Sequence, residues 1–237
     1  MAYYSSRNSS SLDIVDDTVV GTKGIRDYIR SVSVPLGVRE IRSFSFCSCT
    51  SLSSVSLPNT LRNIGAGSFA GCTSLTAITL PDSLTSIESD AFRDCGDLFC
   101  FKLPKKLLKI GTEAFSGCRM ITSMSLPDSL ISLGDHAFQD CTSLSSIKLP
   151  RHLKRVGVCA FRGCQGVSSL KFCASVTSIG PYAFAGCIGL NTVSLPPSVT
   201  DIGAYAFAEC SRLTFAELPN AAQVGESAFQ DCTGSFI

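Results

Sequence analysis

The sequence predicts an α/β solenoid, a chain wound in similar coils around one elongated core. Three observations carry this prediction: a cysteine that returns every 23 residues, an alternating apolar segment just after it, and an Ala-Phe pair that closes each unit. Cys49, Cys72, Cys95, Cys118, Cys141, Cys164, Cys187 and Cys210 follow one another at intervals of 23 residues, and Cys232 comes after 22. The register runs back to a unit that starts at Arg26 without a cysteine, so about nine units fill residues 26–237.

Each element of the unit follows from its residues. Leu52, Val55 and Leu57 correspond to Leu75, Ile78 and Leu80 and to Leu144, Ile147 and Leu149, with proline next in each case. The last two positions alternate as a short strand does, and identical strands at a fixed period stack in parallel. After the proline a second apolar pair, such as Leu61 and Ile64 or Val176 and Ile179, marks a second edge. Glycine often follows, as at Gly65, Gly111, Gly134, Gly157, Gly180 and Gly203, which suits a turn with positive φ. Ala91-Phe92, Ala114-Phe115, Ala137-Phe138 and Ala160-Phe161 then leave room for a single helical turn before the next strand.

One unit cannot fold alone. Its six or seven apolar side chains would each contribute roughly 1.5 to 3 kcal/mol on burial. Ordering its backbone costs about 1 to 2 kcal/mol for every residue. Stacking gives each coil a neighbour on both faces and turns the deficit into cooperative stability.

The L-x-x-L-x-L-P segment, the following L-x-x-I-G and the A-F-x-x-C, complete between Leu144 and Cys164, resemble the leucine-rich repeats. More narrowly, they resemble the 23-residue class called BspA-like, or Treponema pallidum type, over about nine-tenths of the chain. The resemblance implies a right-handed superhelix with a parallel sheet on the concave side and short helical turns or second strands on the convex side. It also implies binding to other macromolecules, often as a surface antigen or adhesin of anaerobic bacteria and protozoan parasites.

Composition narrows the function classes. With 45% apolar residues, 16% charged residues and a net charge of +1, the chain reads as folded, without a global attraction to nucleic acid or anionic membranes. No apolar run is long enough to span a bilayer, and the start MAYYSSRNSSSLDIVDD lacks the pattern of a secretory signal. Residues 1–12 read as a disordered polar tail with an N-x-S match at Asn8, and residues 13–25 as an N-terminal cap. The expected location is therefore cytoplasmic, or the cell surface if the N-terminus is incomplete. The chain ends at DCTGSFI as a further unit begins, leaving an open last coil that suits end-to-end self-association.

Thirteen cysteines invite a thiol-based metal or redox reading. Stacked identical positions point the same way, which opposes the facing geometry of a disulfide. The only close pair, Cys47 and Cys49, lacks metal-ligand spacing. A buried, reduced row is expected, with Cys100, Cys159 and Cys173 off the row and more open to solvent. The phenylalanines from Phe46 to Phe229 read as a stacked core spine. His136 and His152 match no catalytic or metal motif, so neither catalysis nor a cofactor is expected.

Function is then sought where units depart from the repeat. Between the apolar strand positions most residues are Ser or Thr, as at Ser53, Ser54 and Ser56. One unit breaks that rule with Phe99, Cys100, Lys102, Lys105, Lys106 and Lys109, and another with Lys148, Arg151, Lys154 and Arg155, with Lys171 one coil on. Together they make a basic band across the middle coils, interrupted by the neutral unit with Ser125 and Asp128. Its candidate contact residues are Phe99, Lys102, Lys105, Lys106, Lys148, Arg151 and Lys171. This band is the candidate surface for an acidic protein partner; sequence-specific nucleic-acid binding is not expected, because nothing aromatic interleaves with it beyond Phe99.

Overall fold

The computed structural model describes residues 4–5, 11–15, 18–23 and 28–236. Asn8 and much of the expected polar tail lie outside the described residues. The rest is a parallel β-solenoid of about eight turns. Strands Tyr4–Ser5, Ser11–Val15 and Thr18–Lys23 pair antiparallel in sequence, and the last of them lies parallel to Glu40–Ile41 of the first coil.

Each complete coil meets its neighbours along three lines. The front line holds the L-x-x-L-x-L strands, such as Ser54–Ser56 and Ser146–Lys148, whose middle residue points inward between two exposed ones. The flank line holds the second apolar pair as two-residue strands: Asn63–Ile64, Ser86–Ile87, Lys109–Ile110 and Ser132–Leu133 pair in parallel, and four more run from Arg155–Val156 to Gln223–Val224. Both the strand and the second edge thus form where the apolar spacing puts them.

The third line corrects an expectation, because no helical turn follows the Ala-Phe pairs among the described residues. Asp90, Phe92 and Asp94 donate their N–H groups to Thr112, Ala114 and Ser116 of the next coil, each at 2.8 Å. The amides between them, on Ala91 and Arg93, turn back to Glu88 and Asp90 of their own coil at 3.3 and 3.0 Å. A helix would spend every N–H within the coil. Here alternate amides reach along the solenoid axis, and the chain achieves this by entering the left-handed region twice per unit, at Asp90 (φ 56°) and Asp94 (φ 55°), or at His136 (φ 58°) and Asp140 (φ 56°). The second of these places falls to glycine in other coils, as at Gly117 (φ 74°).

The glycines after the second apolar pair have another reason. Gly65 is not in the left-handed region; a Cβ there would lie 2.6 Å from the Ile41 carbonyl oxygen and from the Ser43 nitrogen of the preceding coil. Glycine at this place lets two backbones approach.

Inside, Phe46, Phe69, Phe92, Phe115, Phe138, Phe161, Phe184 and Phe207 are fully buried. Their rings stack at centroid separations from 5.1 to 5.6 Å, so one aromatic column runs beneath the turn line. The front line is less regular than expected: its parallel pairing breaks into separate patches, with an isolated Ala77–Cys100 bridge in the interval between Ser54–Ser56 and Ser146–Lys148. The middle gap coincides with bulkier residues under the strand. Phe101 and Met124 occupy the slot held by Val55 and Ile147 elsewhere, and Phe101 stacks on Phe115 at 5.1 Å.

Removing a ring from the column leaves neighbours that cannot collapse into the space. Phe138→Ala is expected to lose about 3 to 5 kcal/mol, whereas Phe99→Ala, whose ring is 55% exposed, should lose far less. Urea denaturation of the two variants checks this, and similar midpoints would mean that the faces are assigned wrongly.

Candidate interaction surface

The seven candidate contact residues of the basic band divide into three places. Lys102, Lys148 and Lys171 occupy the same position of the front strand in their coils, and all three are exposed. Lys148 and Lys171 lie directly opposite each other in the parallel pair formed by Ser146–Lys148 and Ser169–Lys171. Between them and Lys102 the equivalent residue is Ser125, and beyond them Ser194 donates a hydrogen bond of 2.8 Å to Glu217. Lys105, Lys106 and Arg151 belong to the turn after the strand, and Phe99 to its opposite end.

Their charges are not equally free. Arg151 is tied to Asp128 of the preceding coil, its Nε lying 3.3 Å from one carboxylate oxygen while its backbone N–H donates to the other at 3.3 Å. Lys109 is matched to Glu88 at 2.7 Å. Among the described residues no carboxylate lies within ion-pair distance of Lys102, Lys105, Lys106, Lys148 or Lys171. Like charges held opposite each other on paired strands cost a few tenths of a kcal/mol, roughly, up to about 1.

The gap in the front line adds relief to this surface. Two grooves flank the coil that carries Phe101 and Leu103, and Lys102 and Lys105 stand at the edge of both. Their floors take in Leu80, Phe101, Leu103 and Met124, so cationic side chains border an apolar base. The sequence reading found the lysines but missed the grooves. It also missed a stack of Tyr182 on Tyr205 at 4.9 Å, with the Arg162 guanidinium 5.7 Å from the Tyr182 ring.

The cysteine row is built into the core. Each thiol from Cys72 to Cys232 donates to the carbonyl oxygen of a phenylalanine in the preceding coil, from Cys72 to Phe46 at 3.2 Å through Cys210 to Phe184 at 3.3 Å and Cys232 to Phe207 at 3.1 Å. Off the row, Cys100 is exposed and Cys173 half-buried, but Cys159 is buried, contrary to expectation; its backbone N–H donates to Pro181 of the next coil at 3.0 Å. Among the described residues no cluster of His, Cys, Asp and Glu could hold a metal ion, and no helix is long and apolar enough to cross a membrane.

The model of the BspA type leucine rich repeat region matches residues 26–144 and 109–235, in six copies. The chain belongs to the BspA-type leucine-rich-repeat family. The crystal structure of the T. pallidum leucine-rich-repeat protein is 31% identical, with 78% of this chain and 90% of that one covered at a TM-score of 0.70. A leucine-rich-repeat protein from Eubacterium ventriosum shares the fold at 16% identity and a TM-score of 0.61, over 94% of this chain and 92% of that one. No curated protein matches the chain.

Two outcomes follow from the buried row of this BspA-type chain. Of its thirteen cysteines, Cys49, Cys72, Cys95, Cys118, Cys141, Cys159, Cys164, Cys187 and Cys210 are buried. A maleimide should therefore react first at Cys100, more slowly at Cys47, Cys173 and Cys232, and with the other nine only after denaturation. Rapid native labelling of more than four sites counts against this packing.

Burial also pushes the Cys95 and Cys187 thiols up to about 12, and it lifts Cys118, Cys141 and Cys164 well above the ordinary value of 9.0. The unfolded chain ionises these thiols first, so the folded state holds more protons above pH 9 and loses stability as pH rises from 9 toward 12. The slope per buried thiol is about 1.4 kcal/mol for each pH unit. Urea midpoints should fall between pH 8.5 and pH 10.5, and less so in Cys118→Ala; a flat profile in the parent chain contradicts the burial of the row.

Proposed function

We infer that this chain is a non-catalytic scaffold that binds an acidic segment of a protein partner across its front face. The observation that carries this reading is the register of Lys148 and Lys171, side by side without a carboxylate and in line with Lys102. Nothing in the packing needs lysine at these places, since serine or threonine holds the same position in neighbouring coils such as those of Ser56, Thr79 and Ser125. An acidic segment would relieve the repulsion between the two lysines. Its apolar side chains would find a floor in Phe101 and Leu103 beside Lys102. Family membership supports a scaffold of this kind. In this reading the chain works in a reducing compartment such as the cytoplasm, which suits thirteen cysteines outside any disulfide.

Reversal of Lys102, Lys148 and Lys171 to glutamate tests the surface. Each substitution should change stability by no more than about 0.5 kcal/mol. Affinity for an acidic model peptide, followed by fluorescence anisotropy, should drop at least about tenfold, and binding to the parent chain should weaken with salt because exposed charges are screened over roughly 8 to 10 Å. Equal binding by the reversed variant would remove the front face from consideration.

A further inference from the structure

One junction of the flank line is open. On the coils before it, Ile131 and Ser132 donate N–H bonds to the Leu108 carbonyl at 3.0 and 3.2 Å, and Gly134 to that of Ile110 at 2.8 Å. On the coils after it, Thr177 and Ser178 donate to Lys154 at 2.8 and 3.3 Å, and Gly180 to Val156 at 2.9 Å. Between these, the N–H groups of Lys154, Arg155 and Gly157 meet no carbonyl of the preceding coil, and Arg155–Val156 does not pair with Ser132–Leu133. The turn line remains closed at the same junction, with His136 donating to Val158 at 2.7 Å and Phe138 to Ala160 at 2.8 Å. The opening is a local notch.

Two departures from the repeat meet there. At one turn position a hydroxyl normally caps a carbonyl of the coil before: Thr60 caps Val38 at 2.7 Å, Ser83 caps Leu61 at 2.6 Å, Ser129 caps Leu107 at 2.6 Å and Ser175 caps Leu153 at 2.9 Å. His152 stands in that position and leaves the Leu130 carbonyl uncapped. Loss of the cap is not enough alone, since Lys106 also replaces it while Leu108 still bonds to Thr85 at 2.9 Å. The second departure is Asp135. Its carboxylate accepts the Val158 N–H at 2.8 Å and lies 2.7 Å from where a Cβ on Gly157 would sit, a wedge between the two coils. The aromatic column widens at this step, to 5.6 Å between Phe138 and Phe161 against 5.2 Å between Phe115 and Phe138.

The notch has a volume of about 570 Å³, and His152, Lys154 and Arg155 line one side of it. Unspent backbone N–H groups beside cationic side chains make the concavity that holds oxyanions. The carboxylate facing them, Asp135, is already engaged by Val158 and lies 3.7 Å from Arg155. At the mouth stands Ile131, 64% exposed, with Leu108 of the coil before also exposed. An apolar step beside an anion cradle selects for a ligand that carries both.

We propose that this notch binds a phosphate monoester. The phosphoryl oxygens accept from the N–H groups of Lys154, Arg155 and Gly157 and from the side chains of His152 and Arg155, while the ester substituent lies on Ile131. Backbone amide NMR of the full chain, titrated with phenyl phosphate and separately with inorganic phosphate, tests it. Saturable shifts are expected at Lys154, Arg155 and Gly157, with phenyl phosphate binding several-fold tighter. Arg155→Ala should weaken binding at least about tenfold. His152→Ser restores the hydroxyl that the repeat uses, so it should keep or raise the melting temperature while abolishing the shifts. The chain with Lys102, Lys148 and Lys171 reversed should bind as the parent does, which separates this site from the front face. No saturable shift at millimolar phenyl phosphate overturns the proposal, as does unchanged binding in His152→Ser. Loss in the lysine-reversed chain assigns the anion to the front face instead, and equal affinity for the two phosphates overturns the monoester.

Discussion

The fold depends on one interaction, the main-chain N–H that reaches a carbonyl one coil away. It recurs at intervals of about one repeat, mostly 22 to 24 residues, on the front, flank and turn lines, as in Ser53 to Arg30, Gly65 to Ile41 and Phe92 to Ala114. Because these bonds run along the solenoid axis, each coil satisfies a large part of its backbone through its neighbours. The side-chain repeat follows from this. Glycine stands where two backbones nearly touch, as at Gly65. Left-handed residues stand where the turn must aim alternate amides outward, as at Asp90 and Asp94. Phenylalanine fills the space beneath that turn, and the cysteine thiol takes a remaining lone pair on the phenylalanine carbonyl, as Cys95 does at Phe69.

This hierarchy explains which features could be read from the residues. The strand, the second edge and the phenylalanine column are set by apolar spacing, which is visible along the chain. The helical turn was a misreading, because five residues ending in Ala-Phe fit a turn of helix as well as a turn that bonds outward. The left-handed glycines beside the cysteines, such as Gly117 and Gly163, suit the end of a helix equally well. What excludes a helix is the left-handed residue just before the Ala-Phe pair, at Asp90, Glu113, His136 and Tyr182, and no residue type marks that place in the sequence. The glycines after the second apolar pair misled in the opposite sense: they looked conformational and proved steric, since only the stacked neighbour reveals how near its backbone comes. Cys159 shows the same limit, its backbone N–H meeting a carbonyl of the next coil.

The candidate surface was legible as departures from the repeat and illegible as an electrostatic arrangement. Lys102, Lys148 and Lys171 are conspicuous where Ser or Thr is the rule, and a fixed period places them in one line. The fate of each charge depends on the adjoining coil. Asp128 sits in the coil that had read as a neutral interruption of the band, and there it binds Arg151. The grooves beside Phe101 lie where Phe101 and Met124 fill a core slot held by Val55 and Ile147 elsewhere and where the strand pairing is interrupted. They form between coils, so no single unit displays them.

A solenoid tolerates such departures because its stability is nearly a sum over junctions. In a compact domain, losing several backbone bonds and wedging a carboxylate between packed segments would disturb the whole core. Here the cost falls on one junction, and it is shared out unevenly even there: the flank line opens at Lys154 and Arg155 while the turn line and the Phe138–Phe161 stack stay intact. Three parallel ladders therefore give the chain a redundancy that one sheet would lack. At this junction the turn line holds the register, with a front-side bond from Ser145 to Thr122 beside it, while the flank line is free to carry something other than a hydrogen bond to its neighbour. The open flank junction and the loosened middle of the front line are both uses of that freedom. They are two places where this chain's chemistry differs from its own repeat.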